Sequence, residues 1–192
     1  MKKTIASIVL SFLFLNTMNA QNGGLKKGDT YASGLFGVSH SKSGDEKATD
    51  ILFSPSVGYM VNNNIALGLS AGYGSSVSKL GSVKTSEDII TSAGVFVTYY
   101  FNPQSKFSMF GTAGVGYLLT NDKLTDEKFT GIDVGISPGV SYFVSNNLAL
   151  QATIGRLGFS SLKSNEPGAE ATNKIDLGLN LATTNFGLIW KF

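Results

Sequence analysis

His40 is the single histidine of the chain, and it stands between Ser39 and Ser41 with Glu46 and Asp50 a few residues on. A serine, an imidazole and a carboxylate are the parts of a hydrolytic nucleophile, its general base and the group that orients the base. The spacing argues against that use. Neighbouring residues on a strand point to opposite faces, so an extended segment would not bring either adjacent serine to His40. The stretch TNDKLTDEKFTG, Thr120 to Gly131, alternates carboxylates with other residues but lacks the ligand order of a calcium loop, and reads as a solvated charge cluster. Cysteine is absent, which excludes disulfides and thiolate metal sites. No phosphate-cradling glycine motif follows a strand and opens a helix. No catalytic, cofactor-binding or metal-binding residue is assigned, and the chain reads as a non-enzyme without a cofactor.

The elements that would position such residues are announced by a repeat. SPSVGYMVNNNIALG, Ser54 to Gly68, returns as SPGVSYFVSNNLALQ, Ser137 to Gln151, at an offset of 83 residues. In each copy bulky apolar residues alternate with small or polar ones up to an Asn-rich turn, and the alternation then resumes, which is the pattern of a β-hairpin. Ile51, Phe53, Val57, Tyr59, Ile65, Leu67 and Leu69 carry the first copy; Ile132, Val134, Ile136, Val140, Tyr142, Leu148 and Leu150 carry the second. A third hairpin, with Val95, Val97, Tyr99 and Phe101 before its turn and Phe107 and Met109 after it, lies between them. The turns are placed at Asn62, Asn63 and Asn64, at Asn102 and Pro103, and at Asn146 and Asn147; asparagine tolerates the left-handed backbone of tight turns. A first strand from about Tyr31 to His40 and a last one ending at Phe192 bring the expected total to eight.

The two ends of these strands differ. The Asn-rich connections are short, whereas Ser41–Asp50, Ser75–Asp88, Leu119–Thr130 and Leu157–Lys174 are long and hold most of the charge. Strand interiors are nearly free of charge, apart from Asp133, Asp176 and the near-terminal Lys191. Short turns at one end, long loops at the other and an apolar band between them predict an all-β fold, an antiparallel up-and-down transmembrane β-barrel. Aromatic residues near the band edges, Tyr59, Tyr99, Phe101, Tyr142 and Phe143 on one side and Tyr73 and Tyr117 on the other, fit membrane-interface belts. A soluble barrel would need a bulky interior, whereas one face here is Gly, Ser, Ala and Thr. Pro55 and Pro138 sit mid-strand, where a bulge or strand end is expected. Apolar positions are odd at Leu177, Leu179 and Leu181 but even from Phe186 on, which predicts a bulge near residues 183–185.

The N-terminus has the order of a secretory signal: Lys2 and Lys3, an apolar run, then Asn19 and Ala20. The expected organisation is a signal peptide over 1–20, a short linker over 21–27 and the barrel over 28–192. Removing the signal takes two lysines and no acid, leaving 13 basic and 13 acidic residues. The one arginine, Arg156, and scattered lysines offer no nucleic-acid surface.

The chain ends NFGLIWKF, with Phe186, Leu188, Trp190 and Phe192 on one face. This resembles the terminal signature by which bacterial outer-membrane barrels are recognised for assembly. With the signal, hairpin spacing and length, the region from about Gly28 to Phe192 resembles the small outer-membrane β-barrel family that includes OmpA-type and OmpX-type domains. The resemblance implies a Gram-negative outer-membrane location and a monomer. Its partners would be outer-membrane lipid and lipopolysaccharide, the barrel-assembly machinery and an extracellular ligand of the loops. It also implies a structural or surface-interaction role through four extracellular loops, without the peptidoglycan-binding domain of full OmpA proteins. The alternative is a small pore or a lipid-modifying enzyme resembling lipid A deacylases.

Overall fold

The computed structural model describes residues 23–166, 168–178 and 185–192. The expected signal peptide lies outside them, as does the bulge predicted near residues 183–185 except for Asn185. Among the described residues ten strand segments follow in order: β1 (Thr30–Ser43), β2 (Glu46–Met60), β3 (Ile65–Leu80), β4 (Val83–Tyr100), β5 (Phe107–Asp122), β6 (Lys128–Phe143), β7 (Leu148–Thr153), β8 (Arg156–Ser164), β9 (Ala171–Gly178) and β10 (Asn185–Lys191). All pairs are antiparallel, and β10 pairs with both β7 and β1, from Tyr31 opposite Lys191 to Phe36 opposite Phe186. Because β7 and β8 follow one path beside β6, and β9 and β10 form the last path, the result is a closed eight-stranded antiparallel barrel.

The period-2 pattern is realised as predicted in the band. Phe53, Val57, Tyr59, Leu67, Leu69, Val95, Val134, Ile136 and Leu188 are all exposed on the outer wall, while Ser33, Ser54, Ser56, Ser70, Ser92 and Ser137 line the lumen. Bulky apolar groups cover the outside, while hydroxyls share the inside with a smaller set of large side chains, Leu35, Leu52, Ile90, Phe96 and Leu118, an arrangement that departs from a soluble barrel and suits lipid.

The end bearing Phe192 and the Asn-rich turns will be called proximal, the other distal. The asparagines act through their side chains. Asn62 Oδ1 accepts the backbone N–H groups of Asn64 and Ile65 at 2.8 and 2.7 Å, Asn64 donates to Tyr100 O at 2.8 Å, and Asn147 donates to Lys191 O at 2.8 Å. Left-handed backbone is the sequence-based reason to expect asparagine there, yet among the described non-glycine residues positive φ occurs at Asp126 and at none of these asparagines. Side-chain acceptors replace backbone groups, as in Asx turns.

The distal connections are a correction to the sequence reading. Strands run on almost to the tips, leaving, among the described residues, only Gly44–Asp45 and Gly81–Ser82 as turns, residues 123–127 between β5 and β6, and residues 165, 166 and 168–170 between β8 and β9. Gly44 and Gly81 have φ of 59° and 63°, the glycine-first arrangement of a tight hairpin. Once the strands leave lipid, no apolar face is required, so the hydrophobic alternation fades although the ladder continues.

The prolines behave differently from each other. At Pro138 the partner path is bulged between β7 and β8, with Gly155 at φ 76° and Ile154 N–H donating to Pro138 O at 2.9 Å. At Pro55 there is no bulge, contrary to expectation: the register with β1 is continuous, and that with β3 is the same before and after a gap in the ladder at Ser54 and Pro55. Ser54 Oγ donates to Ala71 O at 3.1 Å, supplying a donor on the edge where the proline has none.

Candidate functional site: a plugged, hydroxyl-lined lumen

The His40 cluster does not assemble. His40 and Thr49 are direct cross-strand neighbours, and His40 Nδ1 meets Thr49 Oγ1 at 2.9 Å on the exposed outer face. Ser39 lies opposite Asp50 on the other face, where Asp50 accepts from Ser76 Oγ at 2.6 Å. No serine or carboxylate in this cluster reaches the imidazole, so the arrangement lacks the relay that nucleophilic catalysis needs. Among the described residues no group of three or more His, Cys, Asp or Glu is arranged to hold a metal ion. In the 120–131 stretch the backbone N–H of Leu124, helped by Thr125, holds the Asp122 carboxyl below its ordinary range; the side chain closes a turn.

Inside the barrel is a cavity of about 580 Å³. Its walls are tied by hydroxyl pairs, Ser33 to Ser56 at 2.6 Å and Thr98 to Thr112 at 2.8 Å. Towards the distal mouth the two charges that the sequence left isolated meet: Arg156 Nη2 donates to both Asp133 carboxylate oxygens at 2.5 and 2.6 Å. Gly135 and Gly158 make room for the guanidinium, since a Cβ at either would fall 2.7 or 2.5 Å from Arg156 Nε. The pair is partly open to solvent, so its Coulomb attraction is screened. Its effect is to cross-brace β6 and β8 and keep the Asp133 charge compensated inside the wall.

The floor of the cavity is apolar. Tyr31, Met60, Ala66, Tyr100, Phe110, Phe143, Ala149 and Ile189 are buried around Leu25. Leu25 belongs to the stretch expected as a linker, yet from Gly23 on this segment folds across the proximal opening. Leu25 N–H donates to Pro103 O at 2.6 Å, Lys27 N–H to Asn63 Oδ1 at 3.3 Å and Gly28 N–H to Met60 O at 2.9 Å. Lys191 holds it from the last strand, donating to Gly24 O at 2.7 Å and lying 3.7 Å from the Asp29 carboxylate and 5.7 Å above the Phe143 ring. Phe143, expected in the outer aromatic belt, therefore points inward; Tyr59, Tyr99, Phe101 and Tyr142 do face outward. Burying Leu25 contributes about 1.5–3 kcal/mol towards docking the segment. A lone leucine in a short polar stretch carries no periodicity, so sequence reasoning missed the plug. Lys191, an unexplained charge at a strand end, was the available signal.

The predicted terminal residues occupy one outward stripe. Phe186, Leu188 and Trp190 are exposed on β10, and Phe192 N–H donates to Thr30 O at 3.0 Å, closing the ladder at the chain end. Asn102 and Asn146 lie exposed in their turns, while Pro103 is buried under the plug.

A closed barrel with an apolar outer band fits the comparison with known families. The model of the outer membrane protein beta-barrel domain matches residues 7–192. The chain belongs to that family. Members of this kind reside in the Gram-negative outer membrane, and so does this chain. It is similar to the outer membrane protein OprG from Pseudomonas aeruginosa, with a TM-score of 0.56 and 18% identity over 88% of this chain and 98% of that one. It is also similar to Neisserial surface protein A, with a TM-score of 0.50 and 19% identity over 85% and 96% of the two chains. At such identity these likenesses concern the fold. No curated protein matches.

Proposed function

We propose that this outer-membrane barrel is non-enzymatic, contributes to the membrane wall and displays its four distal hairpin tips outside. The observation that carries the reading is the Leu25 plug: an apolar floor closes the proximal end of the lumen. In this orientation both chain termini and the Asn-rich turns face the periplasm, as the short turns of outer-membrane barrels do. The partners are the surrounding lipid and lipopolysaccharide, the barrel-assembly machinery, which would read Phe186, Leu188, Trp190 and Phe192, and an extracellular ligand of the tips. The protein works as a monomer, since barrel closure leaves no edge strand in the band.

A pore is disfavoured by the plug, and a lipid A deacylase by the pairing of His40 with Thr49. Two measurements test the reading. An epitope inserted between Lys163 and Gly168 should be labelled on intact cells; labelling only after permeabilisation would reverse the orientation. Lipid A from a deletion strain should have the same mass spectrum as that from wild type, and an acyl chain lost only when the protein is present would mark an enzyme.

A further inference from the structure

Four lysines stand side by side near the distal end. Lys42 lies opposite Lys47, Lys47 opposite Lys79 and Lys79 opposite Lys84, so the row crosses β1 to β4. Directly opposed residues share a face with Cβ atoms about 4.5–5.5 Å apart, and like charges there repel. Strand parity puts the row on the outer wall: Lys42 continues the face of Phe36 and Val38, and Lys47 that of Ile51 and Phe53, all exposed outward. A regular β4 would turn Lys84 inward with Ser86 and Asp88. The register shift at Ser78/Lys79 places one extra residue, Thr85, in β4 and brings Lys84 round to face Lys79. Lys84 then reaches Glu87 at 2.5 Å. Among the described residues Lys42, Lys47 and Lys79 have no ion-pair partner.

The inner face of the same wall carries the opposite sign. Asp50 lies opposite Ser76, Ser76 opposite Asp88 and Asp88 opposite Asp122. They share strand parity with Leu52, Ile90 and Leu118, which line the lumen. Apart from Glu87, which shares the outer face and pairs with Lys84, the charges of this wall are thus sorted, acids towards the mouth and lysines towards whatever surrounds the barrel.

Height identifies what surrounds it. Lys42 is four residues beyond Val38, and Lys47 four beyond Ile51, which is about 13 Å along a strand and about 10 Å along the membrane normal at the usual tilt. That is the depth of headgroups, just outside the apolar band. We propose that the lysine row binds the phosphate groups of lipopolysaccharide in the outer leaflet. A lipid bearing several phosphates matches a row of cations continuous with the acyl-facing wall, and it relieves the repulsion among Lys42, Lys47 and Lys79, which no acidic side chain among the described residues offsets. The proposal rests on the orientation given above.

The test uses the mature full chain folded in nanodiscs. Fluorescent lipopolysaccharide binding is compared for wild type, for Lys47→Gln/Lys79→Gln, and for Lys27→Gln/Lys106→Gln, an equal charge change at the proximal end. The row variant should bind about 25-fold more weakly, at roughly fivefold per lysine near an anionic surface, and the proximal variant as wild type. Dephosphorylated lipopolysaccharide should lose the difference, and inorganic phosphate alone should not compete. In zwitterionic detergent the row variant should resist heat at least as well as wild type, because repulsion has been removed; on adding lipopolysaccharide the order should reverse. Equal binding by wild type and the row variant, undiminished binding of the dephosphorylated lipid, or competition by inorganic phosphate would overturn the proposal. Orientation is read separately: the chain has no cysteine, so Lys79→Cys should react with an impermeant maleimide on intact cells. Failure there overturns the orientation irrespective of the binding result.

Discussion

Placing an arginine on the outer wall should cost stability according to depth, and the register sets the depths. On β6, Tyr142 marks the proximal edge of the band, and Ile132, opposite Tyr117, marks the distal edge. The ten residue steps from one to the other span about 33 Å at about 3.3 Å per residue, or about 25 Å along the normal at a tilt near 40°, which is the height of an apolar band. Ile136 then lies near the midplane, and Val134 only about 5 Å inside the distal edge. Ile136→Arg should therefore destabilise the folded barrel by about 2–4 kcal/mol, and Val134→Arg by about 1–2 kcal/mol. Ser137→Thr, which adds one methyl to the lumen, should be nearly neutral. Reversible urea titrations in phospholipid vesicles, followed by Trp190 emission, give the three values. Equal tolerance of Ile136→Arg and Ser137→Thr would refute the assignment of faces, and a larger cost at 134 than at 136 would refute the depth scale.

Three further outcomes follow from particular contacts. Leu25→Ala should loosen the plug by about 2–3 kcal/mol, seen as roughly 30- to 150-fold faster hydrogen exchange at the Leu25 and Gly28 amides with the strand amides unchanged. Arg156→Met should destabilise by about 1–2 kcal/mol, discounted for the pair's partial exposure, by leaving Asp133 uncompensated; adding Asp133→Asn should recover most of the loss in a urea titration. Phe192→Ala, or removal of residues 190–192, should leave export intact but deplete the heat-modifiable band of the folded barrel on gels. Normal insertion of the truncated chain would show that the C-terminal stripe is simply the end of the last strand.

What the sequence disclosed was governed by the solvent on each side of the wall. In the band, lipid outside and hydroxyl-lined space inside enforce a strict period of 2, so Phe53, Val57 and Val134 could be placed on the correct face from spacing alone. Beyond lipid that constraint ends, and ladder residues such as Lys42, Lys47 and Lys79 read as loops although they are paired strand. At the proximal end the lumen is filled, so Phe143 departs from the small-inside rule that located its neighbours. Contacts between distant segments were illegible for a different reason. Leu25 against Pro103, and Arg156 with Asp133, depend on closure of the barrel and have no local pattern. The cross-strand order of the four lysines needed the register, including the bulge at Thr85.

The central claim, a membrane barrel stopped at one end, is tested most directly by conductance. Purified wild-type protein reconstituted in planar bilayers should insert without producing current steps, because the Leu25 floor and its aromatic surround close the lumen. Stable stepwise conductance that scales with the number of inserted wild-type molecules would contradict the account.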